Sequence, residues 1–210
     1  MGDRKDHDVY HERQSWQFCG IHAVNNLLQR QEFKKADFDR IAKTLAPNAF
    51  VNPHRSIWGT GNYDVNVLTM AMQEKDYDIR WFDRRKDPSV INLDEIIGFI
   101  INTKTPKFFS MYTSHHWFAV RVIKGKWTKF DSKNKIPTEI EGGIKGLHSY
   151  IKQLLAADSQ VLIACNKGKG DVIYKNDSVK PSGGEKKQPQ AGAGGGVGAT
   201  AGELAKLEVS

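Results

Sequence analysis

Only two cysteines, Cys19 and Cys165, occur among the 210 residues. Two thiols are too few for a disulfide framework, so they are read as kept for burial or for chemistry in a reducing compartment. No stretch approaches the roughly 18 to 20 apolar residues of a membrane span. The richest one, VINLDEIIGFIINT, is short and carries Asp94 and Glu95. The opening MGDRKDHDVYHERQ is charged and lacks the apolar segment of a secretory signal. Asp6 stands where N-myristoylation of Gly2 would need Ser or Thr. These absences predict a soluble protein of the cytoplasm, with the nucleus or a membrane surface as alternative sites. The NDS sequon at Asn176 is then expected to stay unglycosylated.

Dense basic clusters are also missing. The formal charge is +7, but Lys and Arg are scattered, the pattern of a solvated surface, so no nucleic-acid partner is expected. The lone GTG at residues 59–61 lacks both the Lys of a phosphate loop and the spacing of a dinucleotide fingerprint. Cys19, His22, His115 and His116 stand at spacings that zinc motifs do not use. No metal and no cofactor are expected.

What is present divides in two. From Asn166 onward Gly, Ala, Lys and Ser dominate, culminating in AGAGGGVGATAG, too little apolar surface to offset the entropy of ordering. The reading is therefore a flexible N-terminus over 1–9, a folded domain over 10–166 and a disordered tail over 167–210. Within the domain, Ile21, Val24, Leu27 and Leu28 share one helical face, and Phe38, Ile41, Ala42 and Leu45 another, with Asp37 available as a cap. Asp64 can cap a third helix carrying Val65, Leu68, Ala71 and Met72. DIRWF is predicted as a strand and LDEIIGFIIN as a buried helix. KFFSMY, HWFAVRVI and KWTKFDS follow as strands, LHSYIKQLLA as the last helix and QVLIAC as the closing strand. Helices first and strands later predict an α+β domain in which an antiparallel sheet packs against helices.

Cys19 precedes the first helical run. At a helix start its sulfur would lie near unpaired N–H groups and the positive end of the helix dipole, both of which favour thiolate. Two readings stand for it: a nucleophile, or a small buried residue, as most free cysteines are. A base can be placed independently. A two-residue hairpin loop at Lys124 and Gly125 sets Ile123 opposite Lys126 and hence Phe118 opposite Asp131. His116 shares the face of Phe118, so Asp131 becomes its diagonal neighbour, able to orient the imidazole and stabilise its charged form. A three-residue loop would break this parity. His115 points to the other face, and Cys165 ends an apolar strand as a core residue. Gln14, just upstream of Cys19, could donate its amide to an oxyanion together with the Cys19 N–H.

Taken together, HERQSWQFCGIHAVNNLLQ, LAP, NPHRSIWGTGNYDVNV, DRR, the HW pair and FDSK resemble the Josephin domain, in particular its short stand-alone members, from about Tyr10 to Asn166. The resemblance implies a papain-like cysteine protease fold, with the nucleophile at a helix N-terminus packed on an antiparallel sheet that carries the His and Asp. It implies a deubiquitinating enzyme that cleaves after the C-terminal glycine of ubiquitin. Cys19 would be the nucleophile, His116 the general base and acid, Asp131 the orienting residue and Gln14 the oxyanion donor. Val65, Asn66 and Trp117 would touch substrate. The larger polyglutamine-bearing member has asparagine where this chain has Asp131, and a longer helical hairpin where this chain has the compact segment 33–62. Ubiquitin and ubiquitinated proteins are the implied partners, met by a monomer. The competing readings are an inactive ubiquitin-binding scaffold of the same fold and a basic module acting through the tail. Deleting the residues after Asn166 separates the enzyme from the tail-borne module.

Overall fold

The computed structural model describes residues 9–14, 18–55, 62–106 and 113–175. KFFSMY, the GTG, the sequon and AGAGGGVGATAG lie outside them. Three helices come first: α1 (Cys19–Leu28), α2 (Lys35–Leu45) and α3 (Val65–Gln73). Their apolar stripes are buried as the periodicity predicts, with Val24, Leu27, Phe38, Ile41, Leu68 and Ala71 all in the core. Asp64 caps α3, accepting from the N–H groups of Asn66 at 3.0 Å and Val67 at 3.1 Å. Asp37 serves α2 from inside its first turn instead of at the cap, accepting the Lys34 N–H at 2.8 Å.

A fully antiparallel six-stranded sheet follows, in the order β1-β6-β2-β3-β4-β5. Its strands are β1 (Tyr77–Trp81), β2 (Gly98–Pro106), β3 (Thr113–Ile123), β4 (Lys126–Phe130), β5 (Thr138–Glu139) and β6 (Gln160–Asn166), with α4 (Gly143–Ala156) between the last two. The α+β class is as expected, but the helix read over LDEIIGFIIN is not formed. Gly98 opens β2 there with φ +155°, and a Cβ at this position would lie 2.3 Å from the Val120 carbonyl oxygen. The run is continuously apolar for a different reason. β2 has a helical layer on each face, Ile100 packing with α1–α3 and Phe99 and Ile101 with α4, and a strand buried on both faces loses the alternation that distinguishes it from a helix.

Two cores result. Ile100, Trp117, Ala119, Phe130, Leu162 and Ala164 project from one face of the sheet onto α1, α2 and α3. Phe99, Ile101, Phe118, Val120, Val161 and Ile163 project from the other face onto Leu147, Ile151 and Leu155 of α4. Beyond β6 the chain stays packed: Ile173 is buried, Tyr174 bridges to Ile91, and the Lys175 N–H reaches the Val90 carbonyl at 2.8 Å. None of the helices among the described residues is long and apolar enough to cross a membrane.

Candidate active site

The β3–β4 turn decides the site. Lys124 and Gly125 both adopt positive φ, 51° and 78°, the two-residue turn that matches strand twist. Ile123 therefore faces Lys126, and the register runs on to Ala119 opposite Phe130. One step further, Asp131 stands beside the face that carries His116 and Phe118. The His116 Nε2 lies 2.7 Å from the Asp131 Oδ1. Asp131 also accepts the Lys133 N–H at 3.1 Å on that oxygen, and its Oδ2 meets the Lys129 Nζ at 3.0 Å.

Cys19 is the first residue of α1, and Phe18 before it makes no side-chain cap. Cys19 lies close enough to the His116 ring to favour the charged imidazole, as Asp131 does from the Nε2 side. Cys19, His116 and Asp131 are all buried, with exposures of 4%, 5% and 8%. Burial pushes the His116 imidazolium toward losing its proton, but Asp131 and Cys19 outweigh that and leave its pKa above the ordinary value. Burial likewise opposes charge on Asp131, yet His116 and Lys129 hold its carboxyl well below the usual range. The pair is built to carry a proton on the ring.

Gln14 is fixed beside this pair. Its N–H donates to the Ser132 carbonyl at 2.7 Å, and the Ser132 hydroxyl donates to its Oε1 at 3.4 Å. The Gln14 side-chain amide thus sits against Ser132, the residue after Asp131. The other sequence-predicted residues fall elsewhere. Asn66 is exposed and Val65 half-buried at the start of α3. Trp117 is 3% exposed and donates its indole N–H to the Tyr63 carbonyl at 3.2 Å, a place in the core beneath the site. His115 bonds Asn102 at 3.0 Å on the neighbouring strand. Cys165 is buried in the opposite core, where burial raises its thiol pKa. No group of three or more His, Cys, Asp or Glu among the described residues is arranged to hold a metal.

Sequence reasoning missed how the Gln14 segment is tied down. Residues 10–14 run along α1 as a strap. The Glu12 N–H donates to the Asn26 Oδ1 at 2.6 Å, and the Gln29 amide donates to the Tyr10 carbonyl at 3.1 Å. The Glu12 carboxylate takes the His22 Nδ1 at 2.6 Å, the Asn25 amide at 3.0 Å and the Tyr10 hydroxyl. The available signal was the polar pair Asn25 and Asn26 inside an otherwise apolar helical run. Burial raises the Glu12 pKa, but those donors together bring it below the ordinary value. A depressed carboxyl stabilises the fold above its unfolded pKa of about 4.3, and that contribution is lost as pH falls through the lower folded value. In urea melts from pH 7 to 3, Glu12→Gln should therefore be less stable than wild type at neutral pH and lose less on acidification. Parallel curves would count against the strap as a charged anchor.

A cysteine at a helix start facing a strand-borne His–Asp pair, on an α+β scaffold, is the papain-like arrangement. A family model described as Josephin matches residues 14–165, and the chain belongs to the Josephin family. A Josephin-like protein of Drosophila melanogaster is 43% identical over 137 residues, covering 62% of this chain and 62% of the fly protein. Josephin-2 of Homo sapiens is 39% identical over 164 residues, covering 76% of this chain and 87% of the human protein. An ataxin-3 homolog of Arabidopsis thaliana is 24% identical over 151 residues, 63% of this chain and 50% of the plant protein.

Proposed function

We propose that this chain is a thiol-dependent deubiquitinating hydrolase, with residues 10–166 as its catalytic unit. The observation that supports the reading best is the buried His116–Asp131 contact at 2.7 Å, with Cys19 at the start of α1 close enough to the same ring to favour its charged form. The Cys19 thiolate attacks the carbonyl carbon of ubiquitin's terminal glycine, forming the S–C bond and placing negative charge on the oxygen. Gln14 Nε2 and the Cys19 N–H receive that oxyanion. As the C–N bond breaks, the imidazolium gives its Nδ1 proton to the departing lysine amine, leaving a thioester and a neutral ring. His116 then takes a proton from water, hydroxide adds to the thioester, and ubiquitin leaves with a free carboxylate while sulfur returns as thiolate. The steps are assigned to Cys19, His116, Asp131 and Gln14, with water as the co-reactant.

Val65 and Asn66, at the start of α3, are the proposed substrate contacts, and Trp117 supports the site from below. The partners are ubiquitin and its conjugates, met by a monomer in the cytoplasm.

The test is covalent capture by ubiquitin carrying a thiol-reactive group at its C-terminus. Wild type and Cys165→Ala should form the adduct, and Cys19→Ala should form none. Tight ubiquitin binding without an adduct on wild type would replace the enzyme by a non-catalytic scaffold, and neither binding nor adduct would remove ubiquitin altogether.

A further inference from the structure

The orienting carboxylate has a second partner that the reaction steps above do not use. Lys129 leans along β4 toward Asp131, with its Nζ 3.0 Å from Oδ2 and 4.5 Å from the centre of the Phe118 ring. The Phe118 ring in turn lies 6.4 Å from that of His116. The register makes this placement obligatory. Val120 pairs with Lys129, so Lys129, Asp131, Phe118 and His116 belong to one face of the β3–β4 hairpin. The ammonium is held on two sides, by a carboxylate oxygen and an aromatic face, and only 26% of the side chain is exposed. We propose that Lys129 is a positioning residue that sets the proton affinity of His116 through Asp131; the inference rests on the catalytic reading above.

Two effects follow from the geometry. The fixed ammonium keeps the carboxylate plane aligned so that Oδ1 is presented to the His116 Nε2. Its charge also opposes that of the imidazolium a carboxylate's width away, so the ring binds its proton less tightly than beside an unpaired Asp131. The reaction needs this restraint. An imidazolium must give up its proton to the leaving amine, and the neutral ring must then persist long enough to accept one from water. An aspartate alone would favour the first charge state too strongly for the second step.

The remaining groups around the ring do not duplicate the role. Cys19 contributes the thiol from α1, and Lys133 only its backbone N–H. From α4, Tyr150 has its hydroxyl pushed up to about 12 by burial and by the charge of Asp131, so it stays neutral. His115 faces Asn102, and Lys104 on β2 pairs with Asp158. Lys129 is thus the cation within reach of Asp131 among the described side chains.

The experiment reads the His116 ring by NMR against pH in Cys19→Ala, with and without a second change at Lys129, beside the pH profile of kcat/KM for a ubiquitin conjugate in chains that keep Cys19. Lys129→Met should raise the His116 midpoint by about half a pH unit or more. The alkaline limb of kcat/KM should move the same way, and Lys129→Arg should stay near wild type in both. Lys129→Gln keeps a donor for Oδ2 without the charge, and it carries the test if the Met variant does not fold. An upward shift in Gln supports the inference, and a Gln midpoint equal to wild type overturns it. A His116 midpoint indifferent to Lys129 also overturns it, whatever the activity. A shifted midpoint in a chain that cleaves no ubiquitin conjugate overturns the catalytic reading instead and leaves the linkage standing.

Discussion

Replacing His116 by alanine should slow cleavage of a ubiquitin–lysine isopeptide by about a thousandfold, within the range that positioned proton transfer contributes. Three tasks end with that ring. In the proposed reaction it pairs with the thiolate, protonates the departing amine and later deprotonates water. Asp131→Ala removes only the support behind it, the 2.7 Å contact to Nε2, and should cost less, about ten- to a hundredfold. The Cys19 thiol should also lose reactivity, which alkylation by iodoacetamide at neutral pH measures without any ubiquitin present. His116→Ala hydrolysing within tenfold of wild type would show that proton transfer does not pass through this residue.

The second large effect concerns stability. Asn25 is 1% exposed, and all its polar capacity is used. Its Oδ1 accepts the N–H groups of Glu32 at 3.1 Å and Phe33 at 2.9 Å, while its amide donates to the Phe33 carbonyl at 2.8 Å and to Glu12 at 3.0 Å. Alanine would strand two backbone donors, one backbone acceptor and part of the half-buried Glu12 carboxylate. At about 1–3 kcal/mol for each group left without a partner, and with partial relief by water, Asn25→Ala should cost about 3–5 kcal/mol. That is a large share of the roughly 5–15 kcal/mol that holds a domain together. Urea titration at neutral pH checks it, with the slope unchanged. A loss below about 1 kcal/mol would mean that the loop after α1 is held by other contacts.

Much of the architecture was legible because side-chain periodicity survives wherever an element has one wet face. The stripe of α2, the Asp64 cap and the hairpin parity that joins His116 to Asp131 follow from local spacing, and α1, though buried nearly all round, keeps its large apolar side chains on one arc. Legibility failed where burial is two-sided. GFIIN reads as helix because a central strand covered on both faces keeps no alternation, and only Gly98, with a backbone angle other residues rarely adopt, hinted at the break. The supports of the site were hidden for a different reason. Glu12 meets His22, and Ser132 meets Gln14, only after distant segments are folded together. Lys129 does not stand out in the sequence, because alternation puts it on the face of Asp131 without saying that its ammonium turns to that carboxylate instead of to water.

The two thiols lie in separate cores, Cys19 on the face of the sheet covered by α1, α2 and α3, and Cys165 on the face covered by α4. A disulfide needs its Cα atoms within about 7 Å, and a sheet layer stands between these two side chains. Oxidation of Cys19 to the sulfenic acid therefore finds no resolving thiol within the chain. Recovery passes to small external thiols, and an oxidant that outlasts them carries the sulfur on to its irreversible acids. The placement that buries Cys165 in the α4-side core also withholds it as a rescuer.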